Sequence, residues 1–72
     1  MKGTEQKIFD AADRNGITVK SYTITERDFC VDCNKDIIVF FRVVMPTNST
    51  VEEIENKMNE MFYRAKGTSH SR

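Results

Sequence analysis

The chain has 72 residues, and eleven Lys and Arg balance eleven Asp and Glu, so its formal net charge is zero. This length allows one small domain and excludes two, and the charge balance argues against a protein that coats nucleic acid without specificity. Only 39% of the residues are apolar, which is below the usual share. The core is therefore expected to be thin, and a metal ion, a disulfide or a partner chain would add to its stability.

The sequence also indicates a compartment. No apolar run approaches the roughly 18–20 residues that a membrane span requires, and the N-terminal segment MKGTEQK lacks the apolar stretch of a secretory signal. Two cysteines, Cys30 and Cys33, are too few for the disulfide framework of a secreted mini-protein. We therefore expect a cytoplasmic protein that does not associate with a membrane.

Two helices are predicted, one near each end of the chain. The first begins near Thr4, which can cap it, and ends at Asn15 and Gly16, a typical left-handed C-terminal stop. The second begins with a capping box, either Ser49 with Glu52 or Thr50 with Glu53, and ends at Gly67. The apolar stripe of the first helix is Ile8, Phe9 and Ala12, and that of the second is Val51, Ile54, Met58, Met61 and Ala65. Residues 1–67 are thus expected to form the single domain, and residues 68–72 a disordered polar tail.

Between the helices, the sequence predicts two strands. Residues 17–29 are rich in strand-forming types, residues 36–45 are the most apolar part of the chain, and residues 30–35 carry the Asp and Asn of a turn. The predicted fold is α+β, in the order helix, antiparallel β-hairpin, helix, with both helices packed on one face of the sheet. A two-residue turn between Cys30 and Cys33 would place Ile24 opposite Val39 and Tyr22 opposite Phe41.

Strand side chains alternate between faces, which divides the second strand into two sets. Val39, Phe41 and Val43 lie on the face that the helices are expected to cover, whereas Phe40 and Arg42 lie on the other face. If the second face stays uncovered, its apolar character indicates an interface with another chain. The alternative is a monomer in which one helix covers each face.

The sequence lacks the residue patterns of an enzyme active site. The single His, His70, lies in the predicted tail, and glycine occurs only at positions 3, 16 and 67, so that no phosphate-binding loop is present. We therefore expect no catalysis and no catalytic residue. The preferred function is a small protein-binding regulator or inhibitor, acting as a homodimer and also binding another, unidentified protein. The residues predicted to bind these partners lie on the second sheet face and at the hairpin tip: Thr23, Thr25, Asp32, Ile38, Phe40 and Arg42.

The motif FCVDCN suggests a second function. Cys30 and Cys33 have a spacing found in zinc sites, but a structural zinc ion requires four ligands. A complete site would need two chains sharing the ion, or carboxylate help from Asp28, Asp32 or Asp36. A redox pair and plain reduced thiols are the other two readings, and the last of these is the commonest. No cofactor is expected apart from this zinc ion.

Nucleic-acid binding is the remaining alternative. A helix, strands and a helix within about 70 residues is also the order of the double-stranded RNA-binding domain, which has three strands and presents a basic N-terminus of its last helix to phosphate. Here the corresponding turn reads TVEEIE, which is acidic, and only two strands are predicted. We therefore do not assign the chain to that family. For a nucleic-acid-binding accessory protein, Phe40 and Arg42 are the residues that could stack on bases.

Overall fold

A computed structural model describes residues 3–67. The elements follow in the order α1 (Gly3–Arg14), β1 (Thr18–Ile24), β2 (Asp28–Lys35), β3 (Val39–Pro46) and α2 (Val51–Gly67). The strands form one antiparallel sheet in the order β1-β2-β3, with α1 against β1, α2 against β3, and the helices against each other. The predicted α+β class and the order of helix, antiparallel sheet and helix are confirmed. The predicted tail, 68–72, lies outside the described residues.

The strand count differs from the prediction, because the chain makes two hairpins rather than one. The predicted first strand is divided at Thr25, whose amide donates a hydrogen bond to the Asp28 carbonyl at 2.8 Å. The hydroxyl of Thr25 also accepts from the Asp28 amide at 3.1 Å, which closes the turn. The turn predicted over residues 30–35 is wrong, because these residues belong to β2. Instead of one two-stranded hairpin, the chain forms a three-stranded antiparallel meander.

The additional strand changes the predicted pairing. Ile24 lies opposite Phe29 and Tyr22 opposite Val31, because β1 pairs with β2 and not with β3. The division of β3 into two faces is confirmed: Phe41 is buried, whereas Phe40 is exposed. This division depends only on the alternation along one strand, so it does not require the correct partner strand.

One core lies between the helices and a single face of the sheet. Both helices contribute to it from their apolar stripes, and β2 and β3 contribute alternate residues. Phe9, which the sequence placed on the stripe of α1, is instead 41% exposed and packs edge-on against Tyr22, with ring centroids 5.6 Å apart. The buried set is Ile8, Ala11, Ala12, Ile17, Phe29, Val31, Cys33, Phe41, Val43, Ile54, Met58 and Phe62.

Two predicted helix ends form as the sequence indicates, but the predicted cap at Thr4 is wrong: α1 already includes Gly3, and the Thr4 hydroxyl donates to the Thr47 carbonyl at 3.4 Å. Gly16 adopts a φ of +66°, in the left-handed region that glycine tolerates, and α1 ends just before it. At the start of α2, Thr50 and Glu53 form the capping box: the Thr50 amide donates to the Glu53 carboxylate at 2.9 Å, and the Glu53 amide donates to the Thr50 hydroxyl at 3.1 Å. The end of α1 and the start of α2 therefore set the lengths of the connections to the sheet.

Candidate functional site

The sheet face opposite the helices carries most of the predicted binding residues. We call this surface the open face; it comprises Ser21 and Thr23 of β1, Cys30 and Asp32 of β2, and Phe40, Arg42 and Val44 of β3. The registers place these side chains in rows across the sheet, with Ser21, Asp32 and Arg42 in one row and Thr23, Cys30 and Val44 in the next. Within residues 3–67, every member of the open face is exposed or half-buried.

Two apolar side chains stand out on this surface. Phe40 is 61% exposed and Val44 is 60% exposed, and they flank Arg42 on the same strand. A large apolar side chain in a strand interior normally packs against a neighbouring layer, since burying it fully stabilises a protein by about 1.5–3 kcal/mol. Exposed apolar side chains that share one sheet face are a feature of surfaces that contact another macromolecule, and Phe40 and Val44 supply the apolar part of this face.

The polar centre of the open face is an ion pair. Arg42 Nε donates to Asp32 Oδ1 at 2.8 Å, and the Ser21 hydroxyl donates to Asp32 Oδ2 at 3.2 Å. The hydrogen bond from Arg42 holds the pKa of Asp32 below its usual value, and the same contact raises the pKa of Arg42. Both groups therefore carry their charges at neutral pH, and the pair is electrically neutral as a unit.

The turn between β2 and β3 forms the second part of the candidate surface. Ile37 and Ile38 are 81% and 80% exposed, and only Ile38 had been predicted as a binding residue. Ile37 has a φ of +65° and Asp36 a φ of +59°. The left-handed region costs an L-residue about 1–2 kcal/mol and is an outlier for a β-branched side chain. An exposed isoleucine held in a strained conformation indicates a role other than stability.

The structure places the six predicted binding residues in three groups. Thr23, Asp32, Phe40 and Arg42 lie together on the open face, and Ile38 lies at the β2–β3 turn. Thr25 belongs to the β1–β2 turn, and its hydroxyl is occupied by backbone hydrogen bonds.

Sequence reasoning omitted Val44 and Ile37 from the binding set. The signal for Val44 was present, since it shares the parity of Phe40. The signal for Ile37 was weak, because a left-handed φ is not expected at isoleucine.

The cysteines do not form a joint site within one chain. Cys30 and Cys33 lie three residues apart in β2, and side chains at that spacing point to opposite faces of a sheet. Cys33 is buried under the helices, whereas Cys30 is half-buried on the open face. Burial and the nearby Asp32 carboxylate raise the pKa of the Cys33 thiol to about 12, so Cys33 stays protonated. Neither a shared metal ion nor a disulfide between them fits this geometry.

The start of α2 bears on the nucleic-acid alternative. The third strand removes one of the two differences from the double-stranded RNA-binding domain. The other difference stands, because Glu52 and Glu53 occupy the first turn of α2. The capping box uses the carboxylate of Glu53 and fixes it at the helix end. A phosphate would meet negative charge there.

Two kinds of feature are absent from residues 3–67. No helix there is long and apolar enough to cross a membrane. The same residues contain no group of three or more His, Cys, Asp or Glu side chains arranged to hold a metal ion.

Comparisons with protein-family models, with curated proteins and with solved structures each found no match. The geometry of the open face and the β2–β3 turn therefore carries the functional argument.

Proposed function

We propose that this protein is a small non-catalytic protein-binding regulator or inhibitor that acts as a homodimer. Its binding surface is the open face together with the tip formed by Ile37 and Ile38. The observation that carries the proposal is the exposure of Phe40 and Val44 on a sheet face that no described element covers.

The composition of the surface supports a protein as the partner. Aromatic and Arg side chains supply most of the binding energy in protein interfaces. Phe40 and Arg42 are two residues apart in β3 and therefore lie side by side on the open face. Asp32 neutralises Arg42, which, within residues 3–67, leaves the exposed Lys20 as the one cation lining the pocket beside this ion pair, too little positive charge to hold a polyanion. Apolar side chains on either side of a neutral ion pair suit another protein surface.

The two alternatives have weaker support. A zinc ion shared between two chains would need the thiols of Cys30 and Cys33 to converge, and these thiols lie on opposite sides of β2. A nucleic-acid interface would need a basic helix start, and α2 starts with Glu52 and Glu53. Neither is favoured by a specific contact in the described residues.

Sedimentation velocity of three proteins tests the proposal. Phe40→Asp introduces a charge at the centre of the apolar set, and we expect it to abolish self-association. Tyr63→Asp is the matched control, because Tyr63 is 64% exposed but lies on α2, away from the open face. We expect Tyr63→Asp to associate as the wild type does. Circular dichroism verifies that both variants fold. Equal association of Phe40→Asp and the wild type would contradict the proposal.

A further inference from the structure

The two edges of the sheet are protected to different degrees. β1 has a register irregularity between Val19 and Ser21 and carries Lys20, two features that discourage pairing with another strand. β3, at the other edge, is eight residues long with the sequence VFFRVVMP. It has no register irregularity against β2, its only proline is at the last position, and its one charge is neutralised by Asp32. A long, regular and apolar edge is a template for another strand.

The sequence of β3 is self-complementary about Arg42. If two antiparallel copies of β3 cross at this residue, Phe40 lies opposite Val44 on the open face. On the helix-facing side, Phe41 lies opposite Val43, and Val39 lies opposite Met45. Pairs of an aromatic and a β-branched residue are favourable across strands and contribute roughly 0.2–1 kcal/mol each. This register therefore gives the Phe40–Val44 pair on the open face and the Phe41–Val43 pair on the helix-facing side, and the two-fold symmetry repeats each pair once.

The same register brings the Arg42 side chains of the two copies face to face. Like charges directly opposite each other destabilise a strand pair. Here each Arg42 is already bonded to Asp32 of its own chain at 2.8 Å, so the two copies meet as neutral ion pairs. A groove lined by Ile38, Val39, Phe40, Ala65 and Lys66 runs between the start of β3 and the end of α2. The register places Met45 of the second copy, a flexible apolar side chain, beside this groove.

We infer that the protein dimerises by antiparallel pairing of β3 with β3 of a second copy, with the two-fold axis at Arg42. The two sheets then form one continuous sheet of six strands, with four helices on one side and a doubled open face on the other. This inference rests on the proposed function and specifies the partner and the geometry of association. The doubled face is the surface left for a further protein.

Cross-linking between two variants tests this register. In a Cys30→Ser background, Phe40→Cys and Val44→Cys are prepared separately and then mixed under mild oxidation. The directly opposite positions lie at a Cβ separation of about 4.5–5.5 Å, close to disulfide range. We expect the mixture to give a covalent heterodimer in at least several-fold excess over either variant alone. A pattern in which Phe40→Cys links equally well to itself would overturn the inference.

Amide hydrogen exchange of the wild type provides a second measurement that needs no substitution. We expect the amides of β3 to become more protected as the protein concentration rises, and those of β1 to stay unchanged. Protection that does not depend on concentration in either strand would overturn the edge pairing. If the mass is that of a dimer but neither result is seen, the open face associates in another geometry and the proposed function stands. A monomeric mass at all concentrations would contradict both proposals.

Discussion

Arg42 and Asp32 face each other across the β2–β3 pair, and the guanidinium Nε lies 2.8 Å from the carboxylate. This contact neutralises the only charge on β3 and occupies the centre of the open face. An exposed ion pair contributes little to folding. In the proposed dimer, its position between Phe40 and Val44 would let two copies approach without a like-charge penalty.

Removing the carboxylate should weaken association more than folding. In Asp32→Asn, the two Arg42 side chains would face each other uncompensated, so we expect a higher dissociation constant, most clearly at low ionic strength where repulsion is least screened. Ser21→Ala is the control, since it removes one hydrogen bond to Asp32 but leaves the charge. Sedimentation of the three proteins in low and high salt measures the effect. Unchanged association of Asp32→Asn would contradict the role of the pair.

Acid should act in the same direction as that substitution. The pKa of Asp32 is lowered by Arg42, so its favourable contribution is fully present above the ordinary carboxyl value of 3.8. It is lost as the pH falls through the lower pKa of the folded protein. We therefore expect the wild type to dissociate only at a pH below 3.8, where Asp32 becomes protonated in the folded chain, and before its circular dichroism changes. Asp32→Asn should lack this step, and an identical acid profile for both proteins would contradict the assignment.

The tip offers two isoleucines of nearly equal exposure in different backbone conformations. Ile37→Gly should raise the free energy of unfolding by about 0.5–1 kcal/mol, because glycine adopts a positive φ without the steric cost that isoleucine bears. Ile38→Gly is the matched control; its φ is not in the left-handed region, so glycine there adds only unfolded-state entropy and should lower stability. Urea denaturation measures both values. Equal losses of stability in the two variants would show that Ile37 carries no strain.

The sequence predicted the helices well and the sheet less well, for reasons that particular residues show. The caps at Gly16 and Thr50 depend on local backbone chemistry, so a single sequence reveals them. Asp32 and Asn34 were interpreted as turn residues, but they form the water-facing half of a strand whose other half includes Val31 and Cys33. In the sequence alone, Asp and Asn suggest a turn, and the strand is recognised only when the neighbouring strands that pair with it are known.

For the candidate surface too, the sequence predicts what depends on one strand alone and misses what depends on strand pairing. Phe40 and Arg42 were placed together by parity within one strand, which needs no tertiary information. The contact between Arg42 and Asp32 could not be predicted, because it requires the β2–β3 register, and the sequence had assigned Asp32 to a turn. The strain at Ile37 is likewise a consequence of how β2 joins β3.

The buried thiol should make stability depend on alkaline pH. Burial raises the pKa of Cys33 to about 12 from an ordinary value of 9.0. The folded state thus holds a proton that the unfolded state releases, so stability is complete below about pH 9 and falls as the pH rises toward 12. Tyr22 also has a raised pKa, from its hydrogen bond to Glu5, so the comparison is made in a Tyr22→Phe background. There, Cys33→Ala should show a flatter alkaline profile, measured by urea denaturation, and an unchanged slope would contradict the burial effect.

Metal removal should leave the protein unaffected. Cys30 and Cys33 point to opposite sides of β2, so we expect neither a chelator nor added Zn²⁺ to change the sedimentation coefficient or the circular dichroism. Elemental analysis of the purified protein is the accompanying measurement. About half a zinc ion per chain, together with dissociation on chelation, would instead support the shared four-thiolate site.

The open face and the edge of β3 are proposed as surfaces for association, and the solution mass of the wild type tests this proposal most directly. Light scattering over a dilution series, at neutral pH and moderate salt, measures this mass without a label or a substitution. We expect a mass of twice 8.4 kDa at high concentration, decreasing toward 8.4 kDa on dilution. A mass that stays at 8.4 kDa up to millimolar concentration would contradict it.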